Sequence, residues 1–154
     1  MEQLEPSAPA GYDGDTMIQA RSANEWVVRL QDGDDVVAAI RGLDVASALL
    51  LMGIGMVRDA EIGYWDGSRY LTHVLEAPLE LLSLQGNLAT NPAGDRIVHA
   101  HVSLGRPDGS VLGGHLVRAT ANNTVELAIQ PLLQVHLRRK QEENGLVGLY
   151  PELS

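Results

Sequence analysis

The sequence predicts an α+β domain: an antiparallel-rich mixed β-sheet of about six or seven strands with one main helix packed on it. Three observations lead there. After residue 55 the chain reads as a series of strand-like runs separated by short clusters of turn residues. Residues 35–50 instead carry apolar side chains at helical spacing. Strands joined by such short loops pair antiparallel, and one amphipathic helix covers one sheet face.

Taken in order, residues 1–23 are expected to form a flexible arm, too polar and Pro-rich to bury anything alone. Residues 24–154 then form a single domain. "EWVVRLQ" (25–31) alternates as a strand and "DGDD" ends it. Asp34 is placed as a helix N-cap, with Asp35 in the first turn, where the helix dipole favours an acid. Val36, Ala39, Ile40, Leu43, Ala46, Leu49 and Leu50 extend the helix over 35–50, and Gly53 and Gly55 stop it. Strands are expected at 56–65, 69–77, 79–89, 96–104, 110–120 and 124–137. Their separators are "DGS", Pro78, "NPAGD", "RPDG" and "NN".

Composition narrows the function classes. A chain of 154 residues, 45% hydrophobic and without Phe, builds one core from Leu, Val, Ile and Ala. The formal net charge of −9 disfavours nucleic acid as a partner. No Cys is present, so a metal would have to be held by His, carboxylate or water. The acidic start "MEQLEPSAPAGYDGDT" lacks the pattern of a signal peptide. "ALLLMGIGMV" is too short to cross a bilayer. A soluble cytoplasmic protein without membrane contact is the expectation.

"RIVHAHVSLGRPDGSVLGGHLVRA" (96–119) holds three of the five histidines. Pro107, Asp108 and Gly109 suit a three-residue hairpin loop, a type I turn closed by a left-handed glycine. In that register Arg106 pairs with Ser110 and His101 faces His115, with His99 their diagonal neighbour. One face then carries His99, His101, Ser103, Gly113 and His115, and the other carries Val98, Ala100, Val102 and Leu104. Residues at such positions have Cβ atoms about 5–7 Å apart, close enough for three imidazoles to meet one zinc at roughly 2.1 Å. The plain alternative is three ordinary strand histidines bonded to carboxylates or water. Three neutral nitrogens with an open position match catalytic zinc, with Ni, Fe or Mn also compatible.

The blocks "ELLSLQGN" and "HAHVSLGRPDGSVLGGHL", together with "IGMVRDAEIGYWD", "TVELAI" and the tail "RRKQEENGLVGL", resemble the PPC (plants and prokaryotes conserved) domain over about residues 24–149. That resemblance implies a compact α+β domain, usually a homotrimer, with a histidine cluster at these hairpin positions that is metal-loaded in some members. It also implies kinship with the acetolactate decarboxylase fold, which holds zinc through three histidines. The family is labelled DNA-binding because plant members join the domain to AT-hooks. Here the pattern departs: Gly105-Arg106-Pro107 has no flanking positive charge, and Pro107 is already used by the turn. No nucleic-acid-binding residues are assigned.

Glu80 and Asn87, in the "ELLSLQGN" block with Gln85, are candidates to orient a histidine or act beside a metal. Their plain reading is a solvent-facing carboxylate and a turn Asn. Glu126 is a weaker case of the same kind. Arg138, Arg139 and Lys140 form the only basic cluster, expected on a solvated face or in a subunit salt bridge. His73 and His136 are read as structural. "MGIGMV" runs from helix to strand, the reverse of a dinucleotide fingerprint, and "NNT" (122–124) is read as a tight turn. No nucleophile with a base partner stands out, so the sequence leaves enzymatic activity open. Three functions result: a trimer holding a divalent metal, zinc by first choice, through His99, His101 and His115, which if catalytic would polarise a carbonyl or activate water on a small anionic substrate; a DNA-associated regulatory module; or a structural trimer without metal.

Overall fold

The computed structural model describes residues 17–154. Its elements in chain order are β1 (Ile18–Arg21), β2 (Trp26–Gln31), α1 (Val36–Arg41), β3 (Ala48–Trp65), β4 (Tyr70–Leu75), β5 (Leu79–Thr90), β6 (Arg96–Gly105), β7 (Val111–Pro131), β8 (Val135–Gln141) and β9 (Val147–Leu153). The class is the expected one, but the described residues form nine strands rather than six or seven. The extra strands come from segments too short or too near a glycine to read as strands by pattern alone.

Sheet closure organises the molecule. β3 pairs antiparallel with β5 on one side and β7 on the other, and β6 bridges β5 to β7. The path β3–β5–β6–β7 therefore returns to its start, so each of the four strands is paired on both sides over part of its length. β2 extends the sheet from β7 and β1 from β2, while β4 folds back on β3. The β8–β9 hairpin joins through one parallel pairing, Thr90 with Arg138. Val57, Leu81, Leu84, Val102, Leu104 and Leu116 fill the interior, and α1 supplies Val36 to the same apolar space. Each such buried side chain contributes roughly 1.5–3 kcal/mol by leaving water.

The helix is much shorter than the apolar spacing suggests. Asp35 is the cap, its carboxylate accepting the Ala38 N–H at 2.8 Å, while Asp34 accepts the Gln31 N–H at 2.9 Å. Gly42 ends the helix, and Ala48 to Leu50 already belong to β3. The apolar run fits both periods; in the fold Ala48 and Leu50 point inward while Leu51 is exposed, a period of two. Gly55 is not a helix stop. Its φ is 136°, and a Cβ there would lie 2.2 Å from the Thr124 carbonyl oxygen, so only glycine lets β3 approach β7 at this bulge.

Two further boundaries differ. The expected "NN" turn does not exist; β7 runs through it, with Asn123 at φ 68°. Asp32 holds that residue by accepting the Asn123 N–H at 2.8 Å while pairing with Arg58 at 2.6 Å. The sequence ends the arm at residue 23, yet Ile18–Arg21 form β1 against β2 and Met17 is buried. The Arg21 guanidinium lies 4.1 Å above the Trp26 ring, anchoring a strand too short to show alone. The rest of the expected arm, residues 1–16, lies outside the described residues.

Candidate metal centre

The β6–β7 loop sets the site. The Arg106 N–H donates to the Ser110 carbonyl at 2.9 Å, the Gly109 N–H to the Arg106 carbonyl at 3.0 Å, and Gly109 has φ 81°. Asp108 locks the turn by accepting the Ser110 N–H at 2.9 Å and its hydroxyl at 2.6 Å. This is the three-residue loop, and it places His101 directly opposite His115. Because Pro107 and Arg106 are spent on the turn, the Gly-Arg-Pro triplet is part of a hairpin rather than an extended hook.

Three imidazoles converge as a result. One nitrogen from each of His99, His101 and His115 lies within 4.8 Å of the others. The Nε2 atoms of His99 and His101 are 3.3 Å apart. Two nitrogens bound to one tetrahedral zinc at about 2.0–2.1 Å are separated by about 3.3–3.4 Å, so this spacing fits a shared ion. Nδ1 of His115 is buried with no hydrogen-bond partner among the described residues. The ring centroids stand 5.0 to 5.7 Å apart, with His115 also 5.4 Å from Tyr70. Tyr70 in turn packs edge-on against Trp65 at 5.3 Å, forming an aromatic wall on one side.

The electrostatics disfavour the charged form of two of these rings, His99 and His115. Burial first, then the Arg139 charge and the other two histidines, push the His99 imidazole down to about 4. Burial, followed by His101 and Arg139, lowers His115 as well. A neutral imidazole offers the lone pair that a metal needs. No carboxylate joins the cluster among the described residues, so the donor set is nitrogen and suits Zn, Ni or Fe better than Ca or Mg.

The neighbouring candidates divide. Asn87 faces His99 across β5 and β6, within a strand rather than a turn. Its Oδ1 accepts a hydrogen bond from Arg139 at 2.9 Å. Gln85 faces His101. Glu80 pairs with Gly105 near the far end of the ladder, about 23 Å along β5 from Asn87; it does not reach the histidines, because the antiparallel register carries it toward the hairpin loop. Glu126 on β7 sits beside Arg29 and Ile54. His73 pairs with Ile62 and His136 with Glu152, both outside the cluster.

Arg139 is the residue that sequence reasoning misplaced. Arg138 and Lys140 do meet Glu152, at 3.6 and 3.4 Å. Strand alternation turns Arg139 the other way, and it is only 6% exposed. With His99, His115, Trp65, Tyr70 and Val147 it lines a cavity of about 490 Å³. The available signal was the period of two in "VHLRRKQ", which puts Leu137 and Arg139 on one face.

An antiparallel-rich sheet that gathers three histidines on one hairpin face, beside an aromatic-walled cavity, defines a small α+β domain with a candidate metal site. The chain belongs to the Plants and Prokaryotes Conserved (PCC) domain family, whose model matches residues 17–133. It is similar to a plant- and prokaryote-conserved protein of Pyrococcus horikoshii, at 31% identity and TM-score 0.75 over 91% of this chain and 97% of that one. It is also similar to a protein from Archaeoglobus fulgidus described as metal-containing, at 34% identity and TM-score 0.75 over 82% and 92% of the two chains. A protein from Bacteroides thetaiotaomicron, described as a candidate DNA-binding protein, shares the fold at TM-score 0.81 and 20% identity over 88% and 98%. No protein with a curated description matches the chain.

Proposed function

We propose that the protein binds a divalent metal, zinc by first choice, through His99, His101 and His115. The observation that carries this is the convergence of three imidazole nitrogens within 4.8 Å from two adjacent strands. The metal-containing relative at 34% identity supports it. When bound, such an ion supplies Lewis acidity toward a ligand oxygen. The chain's own residues do the rest: His101 is exposed and leaves one side open, while Tyr70 and Trp65 shield the other. Elemental analysis of the protein purified without added metal tests the reading. About one metal ion per chain, lost in a triple His→Ala variant, is the expected result; no metal and no chelator effect on melting overturns it.

The assembly proposed is a cytoplasmic homotrimer. Tyr64 of β3, 65% exposed, and Leu71 of β4, 38% exposed, are cross-strand partners on one face, and β4 pairs only with β3 among the described residues. An exposed apolar cross-strand pair beside an open edge favours a subunit contact. No described helix is long and apolar enough to cross a membrane. Light scattering at about three times the 16.6 kDa chain mass is the expected result. DNA is not the favoured partner, since a chain of net charge −9 repels phosphate and the Gly-Arg-Pro triplet is bound up in a turn.

A further inference from the structure

A buried guanidinium needs a counter-charge, and among the described residues Arg139 has none. Its side chain donates to the Val147 carbonyl at 3.2 Å and to Asn87 Oδ1 at 2.9 Å, both neutral acceptors. Its Nε finds no partner among the described residues. No described carboxylate pairs with it, whereas Arg58, Arg69, Arg118 and Arg138 each have an acid within 4.0 Å. Burial alone acts on its charge, pushing its pKa below the ordinary arginine value. Holding an unpaired cation away from water is costly unless an anion joins it.

The cavity beside Arg139 shows what kind of anion fits. Its volume of about 490 Å³ lies in the range that encloses a small organic molecule, far larger than a lone inorganic anion needs. Its walls are mostly apolar, from Trp65, Tyr70, Ile97, Leu146 and Val147, with His99 and His115 at one side. The planar fork of arginine matches a carboxylate. We propose that this cavity binds an organic carboxylate, its charged end on Arg139 and its apolar body against Trp65, Tyr70 and Val147, so that the ligand lies beside the histidine cluster. The proposal builds on the reading of that cluster as a metal site, and it names the class of ligand the site takes.

Asn87 has a defined part. By accepting from Arg139 it fixes the guanidinium, and its position opposite His99 ties that orientation to the histidine strand. Asn87 is a positioning residue here.

The test uses full-length protein and a series of monocarboxylates of growing apolar body: acetate, butyrate, hexanoate and benzoate, with benzamide as the uncharged counterpart of benzoate. Calorimetry should show saturable binding that tightens along the series and is at least about tenfold weaker for benzamide. Arg139→Gln should weaken carboxylate binding by about tenfold or more while leaving the metal content unchanged. Because that variant removes an uncompensated buried charge, its ligand-free melting temperature should hold or rise, so failure to fold is not the expected explanation. Metal content and carboxylate binding are read separately. Protein without metal that still binds benzoate through Arg139 sinks the metal reading and spares this one. The proposal is overturned if no carboxylate of the series binds, if benzamide binds as well as benzoate, or if Arg139→Gln leaves binding intact. It is equally overturned if that variant splits the oligomer on gel filtration without touching carboxylate affinity, which would assign the guanidinium to a subunit contact.

Discussion

His101 and His115 sit directly opposite each other on β6 and β7, their ring centroids 5.7 Å apart and their planes at 84°. The pair is set by the Pro107-Asp108-Gly109 loop, since a loop shorter by one residue would turn His115 to the other face. The two rings come from different strands, so neither can follow a metal without its partner strand. His101→Ala or His115→Ala should therefore weaken zinc binding on the order of a hundredfold or more, since even outer supporting residues cost 10–100-fold. Competition with a chromogenic chelator measures this. His73→Ala, on the β4 strand outside the cluster, should bind as wild type.

Gly86 is the tightest contact behind the site. A Cβ at this position would lie 2.0 Å from the His99 carbonyl oxygen and 2.7 Å from the Ala100 Cα, both backbone atoms of the paired strand. Gly86→Ala must push β5 from β6, at a cost of about 1–3 kcal/mol or more by overpacking. A lower urea midpoint is expected, together with reduced metal content, because the displaced strand carries both His99 and His101. Unchanged stability would mean that the ladder yields more easily than the contact implies.

The hairpin was legible because its signals are local. Turn chemistry at Pro107-Asp108-Gly109 set the register, and the register set the face. The segment 42–50 was not legible, because a run of Leu and Ala satisfies helix and strand spacing alike until tertiary pairing on both sides of β3 selects the strand. Glu80 and Asn87 share one sequence block, yet only Asn87 reaches the site; which end of β5 meets the histidines depends on the β5–β6 register, and that is a long-range property. Arg139 looked like one of three surface cations. Its inward turn depends on β8 docking beside β5 at Thr90 and Arg138, a contact 48 residues apart in the chain.

Glu80 and Asn87 should part company experimentally. Asn87→Ala leaves an Arg139 donor without its acceptor in a buried setting, which costs about 1–3 kcal/mol. Glu80→Ala removes an exposed side chain and should change stability by no more than about 0.5 kcal/mol. Chemical denaturation of the two single variants checks the contrast, and metal content should be unchanged in Glu80→Ala. Equal losses in both would contradict the register that separates them.

Protonation of the histidines gives the metal-free protein a characteristic acid response. In the unfolded chain a histidine titrates near 6.5, whereas burial and the nearby Arg139 charge hold His99 down to about 4 in the fold. Between those values the unfolded chain binds the proton more readily, so falling pH favours unfolding. The His99 contribution is thus complete above about pH 6.5, declines as pH drops toward 4, and levels off below it. His115, lowered by burial in the same sense, adds to the slope. Urea midpoints of chelator-treated protein from pH 7.5 to 3.5 should fall across this window, and His99→Gln should flatten the curve. The His99 ring proton resonances should move near pH 4. A midpoint near 6.5 for that ring would show that it is neither shielded from water nor beside a cation, and the electrostatic account of the site would fall with it.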